Sequence, residues 1–313
     1  MLHQLPAPLR AALALTLLTL NTLFWVPILL LLALLKLMLV LQSVRLYLDP
    51  WLIRIAECWI SGNSTWMKLT QKLNWDVQGL EALQGRHWYL VICNHQSWVD
   101  IFVLQHVLNR RIALLKFFLK HQLIWIPVMG LAWWALDFPF MRRYSAAYLA
   151  RHPSARGKDI AAARAACEKF ALVPTSVMNF VEGTRWSELK HRQQASPYRH
   201  LLKPKAGGFT LALQAMGERF TAVLDITICY PGGRPDFWQF LKGQLGHVTV
   251  RMHVLPVPHV AAGQTEQSGP AFRSVCEEWL NHRWQLKDQE IETLMEDAKS
   301  ARGAVKSHEL SSR

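Results

Sequence analysis

A polar cluster, Asn94-His95-Gln96-Ser97-Trp98-Val99-Asp100, separates two apolar runs. Trp88-Tyr89-Leu90-Val91-Ile92 leads into it, and a second run begins at Ile101. That pattern predicts a strand ending and a helix beginning, the junction where open α/β sheets carry their chemistry. An imidazole there can take a proton from a hydroxyl. A nearby carboxylate can hold the ring in one tautomer and stabilise it once protonated. On one continuous helix a spacing of five would set His95 and Asp100 on different faces. The pair therefore requires His95 in the turn and Asp100 in the first helical turn. Taken alone, the spacing equally suits a His capping a helix start and a surface Asp. Ser97 offers a nucleophile or, more commonly, a helix cap.

A second polar cluster, Glu182-Gly183-Thr184-Arg185, ends the strand-like stretch Thr175–Val181. Between the two clusters lies an apolar wall, Leu123 to Leu136, with Lys120 before it and Arg142 and Arg143 after it. Lys205 follows, with Gly207 and Gly208 opening a helix to about Met216. Glycines there permit close backbone approach, and a helix N-terminus favours an anion. A base, a cationic phosphate site and an apolar wall together suit a phosphorylated, acyl-bearing substrate.

The elements that position these residues begin with Ala11–Leu35, 25 residues without a charge. About 20 apolar residues cross a bilayer as a helix. Two arrangements fit: one tilted span, or a helical hairpin bent near Pro27. Lys36, Arg45, Arg54, Lys68 and Lys72 follow the run and favour the cytoplasm for its C-terminal side. Trp51, Trp59, Trp66 and Trp75 among basic residues suit the headgroup zone or a linker helix on the next domain. The segment 121–136 suits an interfacial element or a channel wall, with a second membrane helix as the alternative. From Asp76 the pattern becomes α/β: a β-type stretch to Gln84, short strands at Ile112–Lys116 and Ala222–Tyr230, and an amphipathic helix over Ser154–Leu172. His247–Leu255 alternates as a half-exposed strand, and Phe272–Trp284 reads as a closing helix. The expected segments are thus 1–47 in the membrane, 48–75 as a connector, 76–285 as the α/β domain and 286–313 as a charged helix or tail.

Composition narrows the partners. The net charge of +13 implies nucleic acid, an anionic membrane surface or phosphorylated substrates. Scattered basic residues argue against nucleic acid, and 51% hydrophobic residues favour the membrane with its anionic lipids. Cys58, Cys93, Cys167, Cys229 and Cys276 are far apart and read as reduced thiols. No His or Cys falls in a zinc spacing, so no metal is expected.

At these residues the chain resembles the 1-acyl-sn-glycerol-3-phosphate acyltransferase superfamily. Asn94, His95 and Asp100 match its Asn-His-x4-Asp motif, and Glu182, Gly183, Thr184 and Arg185 match Glu-Gly-Thr-Arg in full. Phe140-Met141-Arg142-Arg143 matches a looser apolar-then-Arg motif, with Arg143 the favoured match. Lys120 matches the Lys before a Leu/Pro/Gly segment, and Lys205, Gly207 and Phe209 match Lys-x-Gly-x-Phe. The resemblance covers roughly residues 75–285. The fourth motif departs from the common Val-Pro-Val pattern: Asp225-Ile226-Thr227 resembles the branch of lysocardiolipin and lysophosphatidylinositol acyltransferases and the YihG-type bacterial enzymes. Asp225 itself equally suits a buried polar group satisfied by neighbouring backbone.

The resemblance implies a mixed α/β sheet flanked by helices, with an N-terminal membrane helix or helical hairpin, in a bacterial inner membrane with its catalytic domain facing the cytoplasm. It implies transfer of a fatty acyl group from acyl-coenzyme A or acyl-carrier protein to a lysophospholipid hydroxyl, with no further cofactor. The first acceptor is 1-acyl-glycerol-3-phosphate; lysocardiolipin or lysophosphatidylglycerol is the alternative. His95 would be the base and Asp100 its partner. Arg185 and Arg143 would hold the acceptor phosphate, with Lys120 and Lys205 assisting there or at the coenzyme phosphates. Glu182 would orient the hydroxyl or an Arg, and Gly183 and Thr184 would complete the substrate-binding turn. A non-catalytic membrane scaffold and an acyl-thioester hydrolase remain as readings from other classes.

Overall fold

A computed structural model describes residues 2–38, 42–85, 87–141, 151, 173–258 and 270–311; residues 42–46, 120, 141, 270 and 302–311 are described by their backbone alone. Ala7–Met38 forms one helix, α1, and Gln42–Thr70 a second, α2. Lys36 meets Asp49 at 2.5 Å, while Asn21 donates to Asn63 at 2.9 Å, so the two helices run antiparallel. Val26, Leu29 and Ala33, spaced three and four apart, form a buried stripe. They cluster with Leu52, Ala56 and Ile60 of α2. Leu20, Leu23, Phe24, Leu31, Leu34 and Met38 stay exposed. Helix α1 is long and apolar enough to cross a membrane.

The hairpin therefore turns between residues 38 and 42, not near Pro27. Pro27 lies inside α1. A proline removes one backbone donor, but the buried neighbours Val26 and Leu29 hold the helix against α2 on both sides of it. The expected boundary at 47/48 accordingly falls inside α2. Trp66 is 2% exposed and packs edge-on against Phe102 and Phe240, so it anchors the core and does not face headgroups.

Eight strands follow among the described residues: β1 (Asn74–Gln78), β2 (Tyr89–Cys93), β3 (Leu115–Phe117), β4 (Leu119–Lys120), β5 (Phe140–Met141), β6 (Ser176–Phe180), β7 (Ala222–Cys229) and β8 (His247–Leu255). Between them lie α3 (Val99–Leu108), α4 (Met129–Ala135), α5 (Glu188–Gln193), α6 (Ala206–Met216) and α7 (Phe237–Leu241), and α8 (Pro270–Ser311) follows β8. Six strands form one sheet in the order β1-β8-β7-β2-β6-β3. Every pairing in it is parallel except β7 with β8. The mixed α/β sheet matches the expectation from sequence. Strand β2 is buried at all five positions, as a central parallel strand should be. Strand β8 lies inside the sheet, between β1 and β7, rather than at its margin.

Three further expectations change. The first strand begins at Asn74, two residues before the expected domain start. The segment 121–136 folds as a 3-10 turn, His121–Trp125, and the seven-residue α4, too short to span a bilayer. The change in composition at Leu286 does not end the closing helix. Helix α8 continues through it because Lys287 and Ile291 are buried against the sheet. The helix expected over 154–172 lies outside the described residues.

Candidate active site

Strands β2, β6 and β7 run parallel, so their C-terminal ends emerge at one edge. The register sets Cys93 beside both Phe180 and Ile226. His95 and Glu182 each follow two residues later, and Tyr230 ends the third strand. The Asn94 side chain ties the edge together. It donates to the Ile228 carbonyl at 2.8 Å and accepts from the Ile228 N–H at 2.9 Å.

Helix α3 begins at Val99, so His95 sits in the turn and Asp100 in the first helical turn. Asp100 Oδ2 lies 2.9 Å from His95 Nδ1. The same oxygen accepts the N–H of Gln96 at 2.7 Å and of Ser97 at 2.9 Å. Oδ1 accepts the Tyr230 hydroxyl at 2.7 Å. Asp100 is fully buried among these four partners. A carboxylate beside Nδ1 holds the ring proton there and leaves the Nε2 lone pair for chemistry. The His95 ring stacks on Phe180, centroids 3.9 Å apart and 13° between planes, which restricts its rotation. The Ser97 hydroxyl is engaged just before the helix: its Oγ accepts the Val99 N–H at 3.1 Å and donates to the Pro235 carbonyl at 2.5 Å.

His95 lines a cavity of about 690 Å³. Its walls are mostly apolar, with Leu18 and Ile60 of the hairpin, Phe102 of α3, Met129 and Ala132 of α4, and Phe180, and they also include Glu57, Asn63 and Arg110. The wall anticipated between Leu123 and Leu136 thus lines the cavity, while its outer face exposes Trp125, Leu131 and Trp134. Lys36 meets both Asp49 and Asp137, at 2.5 and 2.9 Å, and ties the hairpin tip to the chain just after α4.

The second cluster lies beside the His95 turn. The Trp186 N–H donates to the His95 carbonyl at 2.8 Å and joins the two strand-end turns. Gly183 has φ +69°, where a side chain is strained, and its N–H closes a turn on the Phe180 carbonyl at 2.8 Å. A Cβ there would touch Lys205 Cδ at 3.4 Å, so Lys205 lies beside the turn. Gly208, at the start of α6, approaches Asn179 closely: a Cβ would meet its side chain at 3.0 Å. Gly207 has no such neighbour. The Thr184 hydroxyl accepts from Lys190 Nζ at 2.8 Å, and the Arg185 guanidinium lies 4.1 Å from the Trp98 ring centroid. Lys120 pairs with Met141 across the short β4–β5 ladder. Arg143 and Arg142 lie outside the described residues.

Glu182, expected to orient the hydroxyl or an Arg, meets no arginine at hydrogen-bond distance among the described residues. It is fully buried, and neither carboxyl oxygen makes a hydrogen bond among the described residues. Burial pushes it well above the usual carboxylate range; the His95 backbone N–H opposes this and the Asp100 charge adds to it. Asp225 also differs. It is not satisfied by neighbouring backbone: Lys287 Nζ lies 2.6 Å from Oδ1, and Arg283 donates to Oδ2 at 3.1 and 3.0 Å. It shares a sheet face with Val223, which packs under α6 and α8, whereas Leu224 and Ile226 belong to the other face. Among the described residues, no group of three His, Cys, Asp or Glu side chains is arranged to hold a metal.

Known proteins resemble this chain. A family model described as Acyltransferase matches residues 74–231, half of the chain and all three strand ends of the site. The chain belongs to the acyltransferase family. Within it, the relatives are 1-acyl-sn-glycerol-3-phosphate acyltransferases. The mouse gamma form is 24% identical over 248 residues, which is 72% of this chain and 60% of the relative. An Arabidopsis thaliana form, number 2, is 27% identical over 187 residues, 54% of this chain and 45% of the relative. The chain spans about three fifths of the mouse protein's length. The crystal structure of the 1-acyl-sn-glycerophosphate acyltransferase PlsC from Thermotoga maritima shares the fold, with a TM-score of 0.50 and 19% identity over 89% of this chain and 95% of that one.

Several side chains of this family member's site were not singled out from sequence. Tyr230 carried one signal, a hydroxyl at a strand end before Pro231. Phe180, Gln96 and Arg234 carried none, because their roles depend on contacts between distant segments. The state of Glu182 yields a prediction. The native carboxyl stays protonated where the unfolded one ionises, so the native state binds more protons. Wild-type stability should fall as pH rises from about the ordinary carboxyl value of 4.5 towards the raised native value, by up to about 1.4 kcal/mol per pH unit. Glu182→Gln, neutral throughout, should remove that slope and melt higher than wild type at pH 8. Thermal unfolding across pH 4.5 to 8 tests it; parallel curves for the two proteins would refute it.

Proposed function

We propose that this chain transfers a fatty acyl group from an acyl thioester to the free hydroxyl of a lysophospholipid, with 1-acyl-glycerol-3-phosphate as acceptor and phosphatidic acid as product. One observation carries this: the His95–Asp100 pair opens onto a large apolar cavity walled by the helical hairpin and α4. The volume lies in the range of lipid-sized ligand sites. His95 Nε2 takes the proton of the acceptor hydroxyl as its oxygen attacks the thioester carbonyl. Asp100 steadies the imidazolium, and the proton passes to the departing thiolate. The Ser97 hydroxyl is already bonded to the Val99 N–H and the Pro235 carbonyl, which supports direct transfer without an acyl-enzyme. Arg185, Arg143, Lys120 and Lys205 supply positive charge for the acceptor and donor phosphates. The donor is acyl-coenzyme A or acyl-carrier protein.

The protein works at the bacterial inner membrane. Its hairpin inserts from the cytoplasmic side, so both ends of the hairpin and the sheet share that side. The exposed apolar face of α1, the outer face of α4 with Trp125 and Trp134, and the net charge of +13 support contact with anionic lipid.

Purified full-length protein in lipid nanodiscs, given one labelled acyl-coenzyme A and a panel of lysophospholipids, tests this by lipid mass spectrometry. The expected product is labelled phosphatidic acid, with thiol released only when acceptor is present. Thiol release without acceptor would make it a hydrolase. Transfer only to lysocardiolipin or lysophosphatidylglycerol would move the acceptor, as the Asp225-Ile226-Thr227 pattern first suggested. No transfer to any acceptor would leave a scaffold.

A further inference from the structure

Arg192, Arg199, Arg251, Arg273 and Arg283 each meet a carboxylate. Arg185 and Arg234 meet none among the described residues. Each instead lies on a tryptophan face at the His95 junction: Arg185 on Trp98, and Arg234 on Trp186 with its guanidinium carbon 3.5 Å from the ring centroid. Trp98 lines the cavity beside His95, and Trp186 is bonded to the His95 carbonyl.

Arg234 belongs to none of the four motifs. It stands four residues after Tyr230, whose hydroxyl holds Asp100. Its Nε–H donates to Gln96 Oε1, and Nη2 donates to the His200 carbonyl at 3.3 Å. Gln96 Nε2 donates to the same carbonyl at 3.3 Å. The guanidinium is thus fixed by two neutral acceptors and one aromatic face. None of these cancels its charge, and Nη1 makes no hydrogen bond among the described residues. Fixing an arginine this way removes side-chain freedom before any ligand arrives. An exposed fork that meets no carboxylate at bonding distance and has one edge free suits a phosphate, which accepts paired N–H bonds.

We propose that Arg234 is a second arginine ligand of the acceptor's phosphate, acting with Arg185, and that the pair selects a phosphate monoester over a phosphodiester headgroup. This rests on the acyltransferase function proposed above and names its acceptor class. A monoester offers three unsubstituted oxygens and close to two negative charges, enough for two guanidinium forks. A diester offers two such oxygens and one charge. The coenzyme's phosphates share this chemistry, so the test separates acceptor from donor.

Steady-state kinetics on wild type, Arg234→Gln and Arg234→Lys, as full-length proteins in nanodiscs, provide the test. Arg234→Gln should raise KM for 1-acyl-glycerol-3-phosphate by about tenfold or more, with KM for acyl-coenzyme A within about twofold. The rate ratio of this acceptor over lysophosphatidylglycerol should fall. Arg234→Lys should recover part of the loss, because Lys restores charge without the fork. Inorganic phosphate should compete with the acceptor in wild type and less so in Arg234→Gln. Thermal unfolding confirms that each variant is folded; should Arg234→Gln fail there, Arg234→Lys carries the same KM comparison. An unchanged acceptor KM overturns the proposal. A rise confined to the acyl-coenzyme A KM also overturns it and assigns the anion to the donor. A fall in kcat with both KM values unchanged overturns it too, leaving Arg234 as a support for Gln96. Wild type that acylates no lysophospholipid fails the underlying function, a result visible before any variant is compared.

Discussion

His95→Ala is expected to lower kcat/KM for acyl transfer by about 10²–10⁴-fold, the range that a positioned general base contributes. The fold should survive, because His95 lies in a turn and makes its ring contacts with Phe180 and Asp100 alone among the described residues. Asp100→Asn should cost activity on a similar scale and also some stability. An amide NH2 cannot accept from donors, whereas Asp100 faces His95, two backbone N–H groups and the Tyr230 hydroxyl. Tyr230→Phe removes one of these bonds and leaves the others, so its effect should be the smallest of the three. Circular dichroism and thermal melting establish folding, and labelled product measures activity. Folded His95→Ala protein with ordinary turnover would end the general-base mechanism.

Lys287→Met is expected to be the most destabilising single change outside the catalytic edge, by about 3–5 kcal/mol. Lys287 is 2% exposed and Asp225 1%, with 2.6 Å between charges. Lys287 Nζ also donates to the Ile226 carbonyl at 2.7 Å and to Thr227 Oγ1 at 3.1 Å. Removing the ammonium leaves a buried carboxylate compensated by Arg283 alone and two acceptors without a donor. A methionine fills similar space, so the cost is electrostatic rather than a cavity. Asp225→Asn combined with Lys287→Met should cost less than the sum of the single changes, because the pair is coupled. Equilibrium unfolding in denaturant measures both. A loss below about 1 kcal/mol for Lys287→Met would show that water or neighbouring dipoles carry the Asp225 charge instead.

This ion pair changes what Asp225 means. From sequence, Asp225-Ile226-Thr227 bore on which lipid accepts the acyl group. In the fold, Asp225 pins the C-terminal helix to β7 on the sheet face that also buries Val223. The partners Arg283 and Lys287 stand 58 and 62 residues later, near a composition change that reads as the start of a tail. Nothing local links them. The buried positions along α8, among them Trp284, Lys287 and Ile291, recur at helical spacing, but the surrounding charge hides that period.

The N-terminal run shows the same limit from the other side. Its length and lack of charge made a membrane-competent helix legible, whereas the turn position was not. Proline is the strongest local break signal, yet the hairpin turns after Met38. The stripe Val26, Leu29 and Ala33 against Leu52, Ala56 and Ile60 outweighs one missing backbone donor. Likewise Trp66 has the company of an interfacial tryptophan in sequence and the neighbours of a core one in space.

What the sequence determined by itself was the placement of the polar clusters at the strand ends. Residue type and spacing sufficed for His95 and Asp100, because both lie within one turn and the first turn of one helix, where local geometry is nearly set by the chain. The same holds for the Glu182–Arg185 turn, with Gly183 supplying a backbone conformation that other residues resist. Only the tertiary structure decided what surrounds them. Parallel pairing of β6 and β7 on either side of β2 brings Phe180 onto His95, Tyr230 onto Asp100 and Arg234 against Gln96. It also buries Glu182, and that burial pushes the carboxyl well above the usual carboxylate range. Protonation state and support depend on burial and on partners distant in the chain, and those are properties of packing rather than of spacing.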